Sequence, residues 1–271
     1  MESSKVNLTQ EKETLLITLF AKAGESRLPD SLLSDTFAAE AVQRLDYDFA
    51  RLKVSRDLMV GMAIRARTLD DWVRTFIAAN PDATVLHLGC GLDTRIFRVN
   101  PPRSIRWFDL DYPEVIALRR RLYPEREGYT LIGSSVVEMG WLEQVPADRP
   151  AMVVAEGLTM YLRQEEVQRL FTAITTRVPS GEAAFDAFSR LGVRVVQRQH
   201  SVRATGAWLH WGIDDPRELE EIVPRLKFFA EVPAYALAHS HRFSLPACLS
   251  IRMLMGIRPI RRLGRFLRYR F

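Results

Sequence analysis

Short apolar segments alternate with helical segments between residues 84 and 188, and this alternation limits the possible folds more than any other feature of the chain. The apolar segments are TVLHL (84–88), IRWFDL (105–110), YTLI (129–132), AMVVA (151–155) and AAFDAF (183–188). Helical patterns lie between them at PEVIALRRRL (113–122) and EEVQRLFTAITTR (165–177). Apolar strands separated by helices are typical of a parallel sheet covered by helices on both faces. The sequence therefore predicts an α/β fold.

Helical patterns also precede the first strand. Apolar residues recur at helical spacing from Leu15 to Ala23, and residues 65–79 carry a second apolar face, formed by Leu69, Trp72, Val73, Phe76 and Ile77. We expect one domain with three parts. These are a helical N-terminal cover (1–80), a Rossmann-like core (81–250) with a lid insertion near 190–215, and a basic C-terminal tail (251–271). The lid carries aromatic residues suited to a flat substrate, Trp208 and Trp211, although such residues also fill cores.

Composition excludes several classes of protein. The chain has 271 residues, of which 47% are hydrophobic and 26% charged, as in globular proteins. It contains neither a run of eighteen apolar residues nor an N-terminal leader pattern, so we expect no membrane span and a cytoplasmic location. Cys90 and Cys248 lack the spacing of a zinc site or a disulfide framework, and we expect no metal.

The positive charge is concentrated at the C-terminus. After Glu231 the chain has eight arginines and no acidic residue, so the net charge of +5 divides into +8 after that residue and −3 before it. Arginines interspersed with apolar residues are compatible with an anionic membrane surface, nucleic acid or a carrier domain. The alternative, which we favour, is a final strand and hairpin whose arginines face solvent, and we do not expect a nucleic-acid partner.

A turn rich in small residues follows the first strand, at Gly89, Cys90 and Gly91. Such turns let the backbone approach a ligand closely, although the same residues also form ordinary turns. The spacing is neither that of a dinucleotide site nor that of a phosphate loop, which argues against a pyrophosphate ligand.

Two acidic residues follow other predicted strands. Asp111 lies twenty residues after the glycine turn, where a carboxylate commonly binds ribose hydroxyls, although it could instead help to begin the helix at Pro113. Glu156 comes directly after the fourth apolar segment, where an ordinary loop acid is the alternative. Together these features predict a pocket for a nucleoside without phosphates, and S-adenosylmethionine fits that description.

Four segments together resemble the leucine carboxyl methyltransferase family, and most closely its microbial branch, which includes enzymes that methylate polyketide carboxylates. The segments are VLHLGCGLDTRIFRV, WFDLDYPEVIALRR, GSSVVEMGWLEQV and VVAEGLTMYL. The resemblance implies a class I fold, in which a Rossmann-like, seven-stranded, mostly parallel sheet with an N-terminal helical cover binds S-adenosylmethionine.

The resemblance also implies roles for particular residues. Those expected to bind the cofactor are Lys22, Arg65, Gly89, Cys90, Gly91, Leu110, Asp111, Ser135, Val136, Glu156 and Gly157. Ser135 and Val136 stand where the protein-methylating members of the family carry Asp-Leu. This departure argues for the small-molecule branch, and against methylation of a phosphatase C-terminus.

A carboxylate acceptor is ionised at neutral pH and needs no general base. It needs a cation or a donor to hold it, and we expect Arg65 and Tyr161 to act as the catalytic residues. The predicted reaction is methyl ester formation on a small polyketide-like or peptide-derived acid. One alternative is phenolic O-methylation, for which His210 or a carboxylate would have to act as base. Another is carboxyl methylation of a protein C-terminus. The chain could also be an RNA-associated methyltransferase-like module or a catalytically silent cofactor binder.

Overall fold

A seven-stranded sheet lies at the centre of the computed structural model, which describes residues 4–5, 13–198, 206–234 and 237–271. Two short strands, β1 (Ser4–Lys5) and β2 (Leu45–Asp46), pair with each other apart from it. The large sheet contains β3 (Thr84–Leu88), β4 (Arg106–Asp111), β5 (Tyr129–Gly133), β6 (Ala151–Ala155), β7 (Gly181–Phe188), β8 (Lys227–Pro233) and β9 (Gly264–Arg270).

The strand order is β5-β4-β3-β6-β7-β9-β8. The five strands from β3 to β7 run parallel, and β9 is antiparallel to both of its neighbours, β7 and β8. The chain proceeds outward from β3 through β4 and β5, then crosses to the other side of β3 with β6. Ligands of open α/β sheets bind beyond the carboxyl ends of the strands at such a reversal. The topology therefore places a ligand site at the ends of β3 and β6.

Helices cover both faces of the sheet and precede it in the chain. They are α1 (Glu13–Glu25), α2 (Thr36–Arg44), α3 (Arg56–Ala79), α4 (Arg95–Val99), α5 (Pro113–Leu122), α6 (Gln164–Arg177), α7 (Arg190–Gln197), α8 (Glu218–Ile222), α9 (Leu245–Leu254) and α10 (Arg258–Arg261). Short 3-10 helices occur at Phe49–Leu52, Met139–Gln144, Thr159–Tyr161 and Leu237–Arg242. None of the helices in these described ranges is long and apolar enough to cross a bilayer.

Alternate residues of the central strands pack into two separate cores. Leu86 and Val153 face one core, which α6 covers, whereas Val85 and Val154 face a second core on the other side. Helix α3 supplies Leu69, Val73, Phe76 and Ile77 to the second core, so the apolar face predicted for this helix is confirmed. All five residues of β3 and of β6 are buried, which explains their largely apolar sequences.

The first helices form a third core of their own. Leu16 and Leu19 of α1 pack with Ala38 of α2 and with Leu118 and Leu122 of α5. This core fixes α1 beside the sheet. The predicted N-terminal helices are confirmed, and they bring side chains from the start of the chain towards the ends of the strands.

Two arginines of the C-terminal tail do not face solvent, as a final solvent-facing strand would require. Strand β9 exists, so the sheet continues beyond residue 250, but Arg265 and Arg268 are buried. Arg265 pairs with Glu231 at 3.0 Å, and Arg268 pairs with Glu182. Because these two side chains are buried, their charges need partners within the protein. The solvent-facing arrangement is therefore wrong for these two arginines.

The region predicted as a lid contains helix α7 and the described residues 206–215, while residues 199–205 lie outside the described part of the chain. Trp211 is buried in the core that α6 covers, whereas Trp208 is 68% exposed. The two aromatic residues therefore differ in environment.

Candidate active site

The carboxyl ends of β3, β6 and β7 open into a cavity of about 730 Å³. Helices α1 and α3 line it with residues that include Lys22 and Arg65, and α7 and α9 contribute to its wall. The cavity lies beside the reversal of strand order between β3 and β6, where the topology predicts a ligand site.

The glycine turn after β3 forms one wall of the cavity. Gly89 and Gly91 have φ values of +58° and +51°, a left-handed conformation that favours glycine. A Cβ atom on Gly91 would lie 2.8 Å from Cδ2 of Leu15, which itself lines the cavity. Cys90 between them is buried, and burial raises the pKa of its thiol well above the usual value, so the sulfur stays protonated.

Asp111 ends β4 and binds this turn. One carboxylate oxygen accepts a hydrogen bond from the Gly91 N–H at 2.7 Å, and the other accepts one from the Tyr112 N–H at 2.7 Å. Burial raises the pKa of Asp111, and the two N–H donors oppose this rise. Each oxygen keeps a second lone pair. Asp111 is therefore fixed in position and still able to accept from hydroxyl groups.

Four ionised side chains meet at the polar end of the cavity. Lys22 Nζ lies 2.9 Å from Asp93 Oδ2 and 2.9 Å from Glu156 Oε1, and Arg65 Nε lies 3.0 Å from the same Glu156 oxygen. We call Lys22, Arg65, Asp93 and Glu156 the ionic cluster. Burial works against ionisation of Glu156, but the surrounding cations, with Lys22 first, hold its pKa at about 2. Glu156 is thus ionised at neutral pH.

A deeper layer of charges supports the ionic cluster. Arg95, fully buried, contacts Glu156 and also pairs with Asp70 at 2.8 Å. Arg98 pairs with Asp93 at 2.5 Å. Buried charges are costly unless they are paired and hydrogen-bonded, and these contacts meet that need.

Arg65 and Tyr161 both face the cavity. The Arg65 guanidinium also lies 3.5 Å from Asp186 Oδ2, and its side chain remains 20% exposed, so it has surface free for a ligand. Tyr161 ends a short 3-10 helix and is 37% exposed. Burial raises the pKa of the Tyr161 hydroxyl, which therefore remains a hydrogen-bond donor at neutral pH.

The remaining cavity wall is mostly apolar. Leu58, Met62 and Arg65 line the cavity from the same face of α3, at positions separated by four and three residues. At 1.5 Å per residue, the apolar part extends about 10 Å along the helix from Arg65. The other elements add the apolar residues Phe188, Val195, Leu209, Phe243 and Ile251. The cavity thus joins an ionic end to a long apolar end.

His87 lines the cavity but has no free nitrogen. Its Nε2 atom lies 2.8 Å from Arg95 Nη1, and its Nδ1 atom lies 3.0 Å from Asp109 Oδ1. Because arginine only donates, Nε2 accepts and Nδ1 carries the proton. Burial and the neighbouring Arg95 lower the pKa of His87. The ring is therefore neutral and structurally engaged, as expected for a buried strand residue.

The cavity collects most of the predicted site residues. Those that line it are Lys22, Arg65, Gly89, Cys90, Gly91, Glu156, Gly157 and Tyr161. Asp111 lies just behind the glycine turn. Leu110 and Val136 pack into the core that α6 covers, Ser135 follows β5, and none of these three residues lines the cavity.

Sequence reasoning missed Asp93 and Asp186. Asp93 is part of the LGCGLDTR segment, but it had no role until the fold brought Lys22 to it. Asp186 interrupts the apolar segment AAFDAF, and its Oδ1 atom accepts from the Gly157 N–H at 2.6 Å. An acid inside an apolar strand near its carboxyl end was the signal that could have identified it.

Comparison with known proteins agrees with this geometry. The sequence model of leucine carboxyl methyltransferases matches residues 15–130. The tetracenomycin polyketide synthesis O-methyltransferase TcmP of Streptomyces glaucescens is 47% identical over 223 residues, which cover 82% of this chain and 83% of that protein. The chain belongs to the leucine carboxyl methyltransferase family. It is an S-adenosylmethionine-dependent methyltransferase, and its resemblance to the microbial branch is confirmed.

Other similar proteins extend this relationship. The S-adenosyl-L-methionine-dependent methyltransferase dpfgK of Gibberella zeae is 38% identical over 249 residues and covers 84% of both chains. Two crystal structures share the fold of this methyltransferase. One is a putative methyltransferase from Thermobifida fusca (17% identity, TM-score 0.57, covering 92% and 93% of the two chains). The other is a DUF574 family protein from Streptomyces avermitilis (14% identity, TM-score 0.60, covering 95% and 96%). The class I fold predicted from the sequence is confirmed.

The cavity of this methyltransferase fits its cofactor. The methionine part of S-adenosylmethionine carries one carboxylate and one ammonium group, and the ionic cluster offers two cations and two carboxylates. The glycine turn leaves room where a Cβ atom would meet Leu15, and Asp111 presents hydroxyl acceptors beside it. Among the described residues, no group of three His, Cys, Asp or Glu side chains is arranged as metal ligands.

Proposed function

We propose that this methyltransferase converts the carboxylate of a small, largely apolar metabolite to its methyl ester. The observation that carries the proposal is the position of Arg65, whose partly exposed side chain lies between the other members of the ionic cluster and the apolar end of the cavity. An acid of the polyketide or peptide-derived type would place its hydrocarbon body against α3 and its carboxylate beside Arg65. The activity for which TcmP is named, O-methylation in polyketide synthesis, supports the same class of acceptor.

Some residues of the cavity would bind the cofactor and others the acceptor, and Arg65 would contact both. Lys22 and Arg65 would hold the cofactor carboxylate, Asp93 and Glu156 its ammonium group, and Asp111 its ribose hydroxyls. Bound S-adenosylmethionine supplies an electrophilic methyl group on a sulfonium.

The protein's own task is orientation. Arg65 and Tyr161 donate hydrogen bonds that fix the acceptor carboxylate, and the apolar wall excludes water around it. Orientation of this kind lowers barriers by up to roughly 7–11 kcal/mol. An ionised carboxylate requires no proton transfer, which agrees with the engaged nitrogens of His87.

Phenolic O-methylation is the second candidate, and Asp186 is the observation that favours it. This carboxylate lines the cavity, and burial raises its pKa, as a general base would require. Arg65 and the Gly157 N–H already engage its two oxygens, so a carboxylate acceptor remains the better match.

The stability of the product to alkali distinguishes these candidates. Purified protein is incubated with methyl-labelled S-adenosylmethionine and flat aromatic acids, each beside a matched phenol that lacks the carboxyl group. Methyl esters release labelled methanol in mild alkali, whereas aryl methyl ethers do not. We expect alkali-labile label from the acids only, and its loss in Asp111→Asn together with weaker calorimetric binding of S-adenosylhomocysteine. Alkali-stable label would establish phenolic methylation instead, and cofactor binding without transfer to any acceptor would indicate a silent binder.

We also infer that the helices before residue 80, the sheet and the final strand act as one catalytic domain. Lys22 and Arg65 come from the first helices, and Arg265 and Phe266 of β9 line the same cavity. A cytoplasmic location is part of the same proposal, since Cys90 and Cys248 are both free thiols.

A further inference from the structure

The outer face of α9 is an exposed apolar stripe. Leu245, Leu249 and Met253 are 80%, 66% and 79% exposed, and their spacing of four residues places them along one side of the helix. Ile257, 47% exposed, follows beyond the end of the helix. Single exposed apolar side chains are common, but a contiguous row of them usually marks an interaction surface. This stripe therefore requires an explanation that the cavity does not supply.

Exposed arginines accompany the stripe. Arg252 lies on α9, and Arg258, Arg261 and Arg262 lie in or directly after α10. Within the described parts of the chain, no ion pair is found for any of these four. The sequence contains no acidic residue after Glu231 that could neutralise them locally. We call the four apolar residues and these four arginines the α9 surface.

We propose that the α9 surface docks this methyltransferase onto an anionic lipid bilayer. Exposed leucine and methionine side chains enter the boundary between headgroups and acyl chains, and adjacent arginines bind lipid phosphates. This inference goes beyond methyl transfer and does not depend on the identity of the acceptor. Gly256 and Pro259 interrupt the segment, so the contact consists of one helix and a basic turn rather than a long amphipathic helix.

The inner face of the same helix lines the active-site cavity. Ala247, Ser250 and Ile251 contribute to its wall, and Ser250 is also exposed to solvent. One helix thus has the cavity on one side and the proposed lipid contact on the other. An apolar acid dissolved in the bilayer would reach the cavity with little exposure to water.

A second copy of the chain fits the α9 surface less well than a bilayer. In a symmetric dimer the same patch meets itself, so the four arginines of one copy would come close to the four of the other. Like charges brought together at an interface oppose association. Anionic lipid supplies the opposite charge and the apolar environment together.

Flotation of the full-length protein with vesicles tests the proposal. We expect binding to vesicles of phosphatidylcholine and phosphatidylglycerol, and much weaker binding to phosphatidylcholine alone. Neutralising Arg258, Arg261 and Arg262 together to Gln should weaken binding by about fivefold per arginine. Added salt at about 1 M should weaken it as well, because it shortens the screening length to about 3 Å. Leu249→Gln with Met253→Gln should weaken binding at least as strongly, since both side chains point into solvent and their loss leaves the core unchanged.

Matched substitutions control for charge and for folding. Arg103, Arg121 and Arg169 are exposed elsewhere on the molecule, and changing all three to Gln should leave lipid binding unaltered. Absence of vesicle binding by the wild-type protein would overturn the proposal and favour an acidic protein partner. Equal binding by the α9 variants would also overturn it. Self-association in sedimentation that Leu249→Gln abolishes would show that a second copy covers the surface instead.

Discussion

Arg65 is held in place by two carboxylates while part of its side chain remains exposed. Glu156 and Asp186 contact it from the ends of two neighbouring strands, and 20% of its side chain is exposed towards the cavity. A guanidinium fixed on two sides is pre-organised, so little rotamer entropy is lost when it binds a further oxygen. This explains how an arginine already engaged in ion pairs can also serve a ligand.

Replacing Arg65 by Gln should reduce methyl ester formation while leaving the protein folded. Glu156 would still be neutralised by Lys22 and Arg95. Loss of a charge-assisted hydrogen bond costs about 1.5–3 kcal/mol, so kcat/KM for the acid should fall about 10- to 100-fold. Steady-state kinetics measures the effect on methyl transfer, and calorimetric titration measures the effect on cofactor binding. Arg67→Gln, on the exposed side of the same helix, is the control. Unchanged kcat/KM in Arg65→Gln would remove this residue from the mechanism.

The stability of the protein should depend on Glu156 in acid. Its pKa is about 2 in the folded protein and about 4.5 in an unfolded chain, so the ionised carboxylate stabilises the fold at every pH above about 5. That contribution, on the order of 3 kcal/mol, is lost as the pH falls from about 4.5 to about 2.

Urea unfolding between about pH 7 and pH 3 measures this contribution. In Glu156→Gln the free energy of unfolding should be lower at neutral pH, and its decline in acid should be shallower than in the wild-type protein. Burial raises the pKa of Asp109, but its neighbours, with Arg119 first, hold that pKa at about 2. Asp109 should therefore still make the free energy of unfolding fall in acid when Glu156 is replaced. Parallel pH profiles for the two proteins would contradict the assignment.

At the scale of elements, the turn after β3 determines how closely a ligand can approach the sheet. Its two left-handed glycines bring the Gly91 N–H to Asp111 and place no Cβ atom at either position on the cavity wall. The turn, the end of β4 and helix α1 therefore form one unit. A change in the turn should affect both stability and cofactor affinity.

Gly91→Ala should destabilise the protein by about 1–2 kcal/mol, the cost of the left-handed conformation for a residue with a Cβ atom. The new methyl group would also displace Leu15 and weaken S-adenosylhomocysteine binding. Gly61→Ala is the matched control, because Gly61 also lines the cavity but lies within α3, where a Cβ atom would meet no other atom within 4 Å. It should stabilise the helix by roughly 0.5–1 kcal/mol. Thermal unfolding and calorimetry compare the two, and equal effects would contradict the role of the turn.

The sequence predicted the elements that depend on local pattern. Strands β3 and β6 were predicted at their observed bounds, as was α5, because short, largely apolar segments and Pro113 are local signals. The glycine turn, Asp111 and Glu156 were found for the same reason, since they follow directly on strands. The burial of Arg265 could not be predicted, because it depends on β9 entering the sheet between two other strands.

Long-range contacts account for what the sequence left open in the site. The Lys22–Asp93 pair joins residues 71 positions apart, and the Arg65–Asp186 pair joins residues 121 apart. Neither spacing carries a local pattern. The family resemblance identified Lys22 and Arg65, but only the packing of α1 and α3 on the strand ends supplied their partners.

At the scale of the whole molecule, β9 connects the C-terminal residues to the catalytic core. Seven of its residues pair with β7, and the Arg268–Glu182 contact is buried within this pairing. Phe266 and Tyr269 are also buried. The basic residues near the end of the chain are thus divided between this strand and the exposed α9 surface.

A chain that stops after Leu263 should not form the native fold. It would lose β9 and leave β8 without a partner in the sheet. We expect no cooperative thermal transition and no stabilisation by S-adenosylhomocysteine, measured by near-ultraviolet circular dichroism. Arg270→Gln, which changes a side chain that is 57% exposed, should unfold within a few degrees of the wild-type protein. A cooperative transition in the shortened chain would show that the parallel strands suffice.

The position of β9 also has a consequence during translation. The ribosome makes this strand after the other six strands of the large sheet, although it occupies an interior place beside β7. At about 5–20 residues per second, roughly ten seconds pass between the synthesis of Phe188 and that of Arg270. During that time β7 presents unpaired N–H and C=O groups on its open side, where another nascent strand could pair with it. Strand β7 is therefore most open to mispairing in the interval between its own synthesis and that of β9.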